Sequence, residues 1–373
     1  MRLGYRPALD GLRGVAIALV VAFHAFGWPR GGTLGVDLFF VLSGFLITAL
    51  LLEEHETTGR IAIRSFYFRR ARRLLPALAV LLASFLLVGI AAAAAGSFEP
   101  RIFVGIGAAV TYSSNIVVAA SPSTVPAGLV HLWSLAAEEQ FYFVWPLVLI
   151  LMLRIGSVRL VIKTLVVLIA LAAVYRVQLV MRGASTGRVY YAPDTHADSL
   201  LVGCVFACWF VRGALLRAIL PRARARSTVG GAAFFLVIAT ALLITQLPWR
   251  MANELLIVPT GFALAAGILI ASAVSGGSIL AQALSTRPLV ALGGISYSLY
   301  LWHLPVLVAL SGTSRHFDRR SVTAVALAVA AAAASRRLVE LPFLSRRGGV
   351  DRTKAVAEGR RRADVTARAA AAN

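Results

Sequence analysis

Apolar residues in this chain come in long runs separated by short polar breaks. The runs read as Leu9–Trp28, Val36–Leu52, Leu74–Ala95, Arg101–Ala119, Glu138–Leu153, Leu160–Met181, Ser199–Val211, Val229–Thr245, Leu255–Ala273, Leu289–Leu310 and Ser321–Ser335. A bilayer-crossing helix needs about 20 mainly apolar residues, and most of these runs approach that length. Backbone groups in hydrocarbon must be satisfied within their own segment, so the pattern predicts an all-α, polytopic membrane protein. Eleven runs cannot all be ordinary spans. With the N-terminus inside, as Arg2 and Arg6 favour, the arginine-rich loop after the second run is cytoplasmic. If Arg101–Ala119 crosses, the Arg154/Arg159/Lys163 loop, the Arg212/Arg217/Arg222/Arg224/Arg226 loop and the basic tail all fall outside. If it does not, all three become cytoplasmic and only Arg182, Arg188, Arg250, Arg315, Arg319 and Arg320 remain external. The second arrangement is chosen: about ten spans, both termini cytoplasmic, and Gly96–Ala137 external or re-entrant. Residues 1–344 form the membrane domain, and 345–373 a basic tail expected to be disordered. No internal repeat or appended soluble domain is visible.

Composition agrees with this class: 59% of the 373 residues are hydrophobic and only 14% charged, with a mean hydropathy of +0.81. The first run is too long for a secretory signal and lacks a small-residue cleavage site, so it reads as a retained span. The net charge of +21 flanks the apolar runs, which fits anchoring and orientation and gives no reason to expect nucleic acid. Cys204 and Cys208, four apart in an apolar run, read as helix-packing residues, and nothing resembles a metal site.

Against that background the ionisable residues inside the runs stand out, because charge at such depth is costly and marks function by default. Arg13 and His24 lie eleven positions apart in the first run, about 1100° of helix, so they share one face roughly 16 Å apart along the axis. Asp37 enters the second run at a depth matching His24, and a carboxylate orienting an imidazole is the usual arrangement for general-base work on a hydroxyl. An alternative has Asp37 capping its helix while His24 bonds a backbone carbonyl. Arg69, Arg70, Arg72 and Arg73 make a fork-shaped anion site at the mouth of the third run, suited to a phosphorylated cytosolic cosubstrate, or else plain anchoring. His131, Trp133 and Ser134 precede the adjacent carboxylates Glu138 and Glu139. Those carboxylates either line the external mouth and orient a polyol or are offset by the helix dipole. Tyr297 and the buried His303 close the set, as substrate-binding groups or as helix-packing glue.

Five strings occur in order. They are Leu9-Asp10-Gly11-Leu12-Arg13-Gly14 with His24, Gly35–Ile47, the arginine cluster, Trp133-Ser134-Leu135 followed by Glu138-Glu139-Gln140-Phe141-Tyr142, and Ile295–Pro305. Together they resemble the membrane acyltransferase-3 family, the bacterial O-antigen and exopolysaccharide O-acetyltransferases, from Tyr5 to about Phe343. The resemblance implies transfer of an acyl group, by default acetyl, from cytosolic acyl-CoA to a hydroxyl of an extracytoplasmic carbohydrate in the cytoplasmic membrane. Arg13 and His24 are then functional, and the cytoplasmic Arg-x-x-Arg motif falls on Arg69–Arg72 or Arg70–Arg73. Acetyl-CoA is a cosubstrate, with no tightly bound cofactor. Many relatives carry Arg where this chain has His196. Some larger members add a C-terminal esterase-like domain; this chain lacks one and is expected to act alone or with a separate partner. Acylation of a small glycosylated metabolite such as a macrolide, and transport or flipping of a glycoconjugate, are the competing functions.

Overall fold

The computed structural model describes residues 3–213, 223–243, 258–274, 278–313 and 315–344. The expected tail at 345–373 and the positions Arg217, Arg222 and Arg250 lie outside the described residues. Helix α1 (Pro7–Phe26) opens on a proline, whose missing N–H costs nothing in the first turn. It stops at Gly27, whose φ of 69° lets its N–H return to Phe23 O. A short 3-10 turn over Arg30–Thr33 leads to α2 (Leu34–Thr58), and α3 (Ile63–Ala94) follows. Next come α4 (Pro100–Val110), α5 (Ser114–Ala120), α6 (Leu132–Ile155), α7 (Val158–Met181), α8 (Thr186–Tyr191) and α9 (Pro193–Val211). The remaining helices are α10 (Ala223–Leu243), α11 (Val258–Val274), α12 (Ile279–Leu284), α13 (Arg287–Gly294), α14 (Ser296–Ser311) and α15 (Arg319–Ser335). The last continues through a π turn over Arg336–Glu340. No strand occurs among the described residues, and the protein is an all-α, multi-pass membrane protein.

Among the described residues, six helices are long and apolar enough to cross a bilayer, and α13 with α14, bent by 70° between them, makes a seventh crossing if taken as one. The other three expected crossings correspond to α9, α10 and α11. Helix α2 is the axis of the bundle, with 78% of its most apolar window buried against 11% for α7. It packs on α1, α6, α9 and α11, while α14 and α13 close on α1 from the other side. Helix α7 instead exposes Val167, Leu171 and Val174, as a lipid-facing helix should.

Two runs differ from continuous spans. Arg101–Ala119 breaks at Thr111–Ser113, where Tyr112 takes a φ of 52°. The resulting helices of 11 and 7 residues are about 16 and 10 Å long, too short for a hydrocarbon core of about 30 Å. Gln140 of α6 fastens the break, donating to Tyr112 O at 2.7 Å and exchanging amide bonds with Asn115 at 2.9 and 3.0 Å. Leu289–Leu310 is likewise no single helix. It bends after Gly293, whose backbone lies so close to α1 that a Cβ there would be 1.8 Å from Asp10 O.

The described chain ends meet at one end of the bundle. Leu3 N–H bonds the Glu53 carboxylate, and the Arg72 guanidinium bonds Phe343 O.

Candidate active site

Two cavities lie back to back between α1, α2, α6 and α14, and α1 runs past both. The first, about 240 Å³, is lined by Arg13, Ser43, Arg70, Arg73, Glu138, Tyr142, Tyr297 and Tyr300, among others. The second, about 390 Å³, is lined by His24, His131, Trp133, Tyr190, Tyr191, Tyr300 and Arg315, among others. Val36 and Tyr300 belong to both walls. The helical spacing of Arg13 and His24 thus delivers one to each cavity.

In the arginine cavity the cluster divides by helical phase. Arg70 donates to Glu139 through Nε at 3.0 Å and Nη2 at 2.8 Å, and its guanidinium lies 3.1 Å over the Tyr142 ring. Arg73 faces the cavity and pairs with no carboxylate among the described residues. Arg13 meets only Asp10, at 3.9 Å. Arg69 bonds Ser65 Oγ at 2.5 Å, Arg72 turns to Phe343 O, and neither lines the cavity. In place of the expected four-arginine fork, the cavity holds Arg73, which has no carboxylate partner among the described residues, and Arg13, paired with Asp10 at 3.9 Å, beside one arginine spent on Glu139. Glu138 and Glu139 do not line the cavity of His24 and His131. Helix α6 starts beside the buried His131, so carboxylates seven and eight residues on face the arginines. Glu138 accepts from Ser43 Oγ and from Tyr142 at 3.1 Å.

Three imidazoles stand in series beside the second cavity: His24 and His131 line it, and His303 is buried behind them. His24 and His303 have ring centroids 5.1 Å apart, and His303 and His131 5.2 Å. His24 Nδ1 faces Val20 O at 2.9 Å; a carbonyl only accepts, so this nitrogen carries the proton and Nε2 is left with its lone pair. Nε2 of the fully buried His303 and both ring nitrogens of His131 meet no partner in hydrogen-bond geometry. Tyr300 spans the wall between the cavities. Its hydroxyl donates to His131 O at 2.7 Å and lies 2.5 Å from Ser134 Oγ. Tyr297 instead donates to Leu74 O at 2.8 Å on the arginine side.

Asp37 does not orient His24. Its carboxylate accepts from His196 Nε2 and Ser199 Oγ, both at 2.9 Å, because its position on α2 faces α9 while His24 faces α14. The carbonyl bond expected of His24 under the alternative reading is present. A second buried pair, Arg176 to Asp198 at 2.6 Å, is shared with Thr260. An arginine inside the Leu160–Met181 run was the sequence signal for it. Tyr300 and Arg315 carried no such signal, since a tyrosine in an apolar helix and an arginine in a loop are both ordinary.

Residues 6–335 match the sequence profile of an acyltransferase domain, that of the acyltransferase-3 group. The chain belongs to the acyltransferase-3 family. It is 34% identical over 357 residues to "Peptidoglycan O-acetyltransferase OatA" of Listeria monocytogenes, covering 91% of this chain and 56% of that one. It is 34% identical over 318 residues to "O-acetyltransferase OatA" of Staphylococcus aureus (82% and 51%). Against "Putative peptidoglycan O-acetyltransferase YrhL" of Bacillus subtilis it is 35% identical over 320 residues (82% and 49%). The chain thus spans about half the length of the curated relatives it matches. No solved structure matches it. The matched stretch contains both cavities and every residue that lines them.

Proposed function

We propose that this protein carries an acetyl group across the cytoplasmic membrane, from acetyl-CoA to a hydroxyl of a cell-wall carbohydrate. The single observation that carries the reading is the pair of cavities sharing Val36 and Tyr300, one lined by Arg13, Arg70 and Arg73 and the other by His24. Arg13 and Arg73 suit the phosphates of a cytosolic thioester, since guanidinium matches phosphate geometry. The thioester would reach past Tyr300 to His24. There Nε2 accepts the proton of the acceptor hydroxyl as its oxygen attacks the thioester carbonyl. The carbon–sulfur bond breaks, and the leaving CoA sulfur takes the proton back from His24, giving an ester and free thiol. Attack by Nε2 itself, through a transient acyl-imidazole, uses the same atoms in two steps. The ring nitrogens of His131, which lines the second cavity and meets no partner in hydrogen-bond geometry, favour a polar guest there, because buried polar groups ordinarily find partners. The names of the relatives point to peptidoglycan as the acceptor.

Solubilised protein supplied with radiolabelled acetyl-CoA and cell-wall glycan tests this. Transfer of label to glycan is expected, and His24→Ala should lower it by about 100- to 10,000-fold. A variant transferring at near wild-type rate would remove His24 from the reaction. A protein that moves glycan without consuming acetyl-CoA would be a transporter instead.

A further inference from the structure

The imidazole cavity has a charge pattern that acetyl transfer alone does not require. Apart from its histidines, its lining contains one ionisable residue of fixed charge, Arg315, and no carboxylate. Arg315 sits between α14 and α15, with its guanidinium 4.4 Å over the ring of Phe23, the residue before His24. The loop is pressed on the end of α1: at Gly27, with φ of +69°, an added Cβ would come within 3.3 Å of both Arg315 Cβ and Arg315 O. The arginine is therefore held against the helix that carries His24. No carboxylate lies within ion-pair distance of it among the described residues. Arg319 and Arg320, four and five residues on, open α15 and do not line the cavity.

Opposite the arginine stands an aromatic wall. Trp133 is 5.0 Å from Tyr190 and 5.3 Å from Tyr191, and the two tyrosine rings are 5.0 Å apart. Flat apolar faces with a few polar groups at their edges are suited to the carbon face of a sugar ring. A neutral sugar would need nothing more. Arg315 is exposed at the cavity mouth, and a fixed cation there without a carboxylate partner among the described residues adds a preference for negative charge, because charge-assisted bonds to guanidinium are the strong ones.

We infer that Arg315 makes this cavity selective for an acceptor sugar bearing an anionic group, a carboxylate or a phosphate, near the hydroxyl to be acylated. The inference rests on the acetyl-transfer reading above and adds the class of acceptor.

The test compares cell-wall glycan strands with the same strands after methyl esterification of their carboxyls, using acetyl-CoA as donor. If the selecting group is carboxylate, the wild-type protein should show a KM for intact strands about 10- to 100-fold below that for esterified strands, with similar kcat. Arg315→Gln should raise the KM for intact strands to the esterified value, and Arg315→Lys should restore part of the difference. Competition separates the two anions. Glucuronate inhibiting better than glucose assigns a carboxylate, glucose 6-phosphate doing so assigns a phosphate, and either advantage should vanish in Arg315→Gln. Wild-type turnover with neither sugar acid competing better than glucose would overturn the inference, as would Arg315→Gln keeping the wild-type preference. Wild-type protein that consumes no acetyl-CoA with either glycan would instead overturn the acetyl-transfer reading.

Discussion

His196 has two hydrogen bonds, one with a backbone carbonyl and one with a carboxyl group. Nδ1 lies 2.8 Å from Tyr190 O and Nε2 lies 2.9 Å from the Asp37 carboxylate. His196 and Asp37 thus form a buried hydrogen-bonded pair that joins α9 to α2. Arginine in place of His196 offers donors to the same two acceptors, so His196→Arg is expected to leave transfer activity and melting temperature near wild type. His196→Ala leaves the Asp37 carboxyl buried with Ser199 alone and should cost about 1–3 kcal/mol, read as a lowered melting temperature in detergent. The arginines divide in the same way. Arg73→Ala should raise the KM for acetyl-CoA about tenfold with kcat little changed, as loss of one charge-assisted phosphate contact predicts. Arg70→Ala should instead reduce the yield of folded protein, since it strands Glu139. Counting residues along a helix gave the depth of His24 and Asp37, and depth alone suggested they met. Direction around the axis depends on which third helix each faces, and that is set by packing between residues more than 150 positions apart, such as Asp37 with His196.

At the scale of helices, run length and polarity were enough to suspect Arg101–Ala119. Its polar centre, Thr111–Asn115, is where the structure breaks it, and Asn115 and Tyr112 O then serve Gln140. The bend inside Leu289–Leu310 falls at Gly293-Gly294-Ile295-Ser296, a break signal that a reading by run length passes over, and Gly293 there packs directly on α1. Close approach on small residues also joins α2 to α9. A Cβ at Gly44 would lie 2.0 Å from Leu200 O, and one at Gly203 would lie 2.2 Å from Val41 O. Those carbonyls are held in helix ladders and cannot swing aside. Gly44→Val or Gly203→Val must push apart the two helices that carry Asp37 and His196. Overpacking of this kind costs about 1–3 kcal/mol, and here it should also misplace the wall of the outer cavity. The measurement is thermal stability beside transfer activity, with Gly213→Val, at an open but positive-φ turn beyond α9, reporting backbone strain without helix separation.

The whole molecule has a polarity that ties these sites to the membrane. From Arg73 to Ala94 helix α3 rises about 32 Å, matching a hydrocarbon core of about 30 Å. The arginine cavity and both described chain ends therefore lie at one face of the bundle, and Ser97 at the other. Excess arginine marks the cytoplasmic side, so the proposed function expects the arginine cavity inside and the imidazole cavity outside. Thiol labelling can test this directly, because Cys204 and Cys208 are both fully buried and should give a silent background. Single cysteines at the exposed positions Arg60, Ser97 and His316 report the two faces. In intact cells a membrane-impermeant maleimide should modify Ser97→Cys and His316→Cys, while Arg60→Cys should react only after permeabilisation. If Arg60→Cys reacted in intact cells, Arg13 and Arg73 would face the outside, where no acyl-CoA is made. The two cavities would then have to exchange roles, with His24 facing the cytosol and Arg13 the wall.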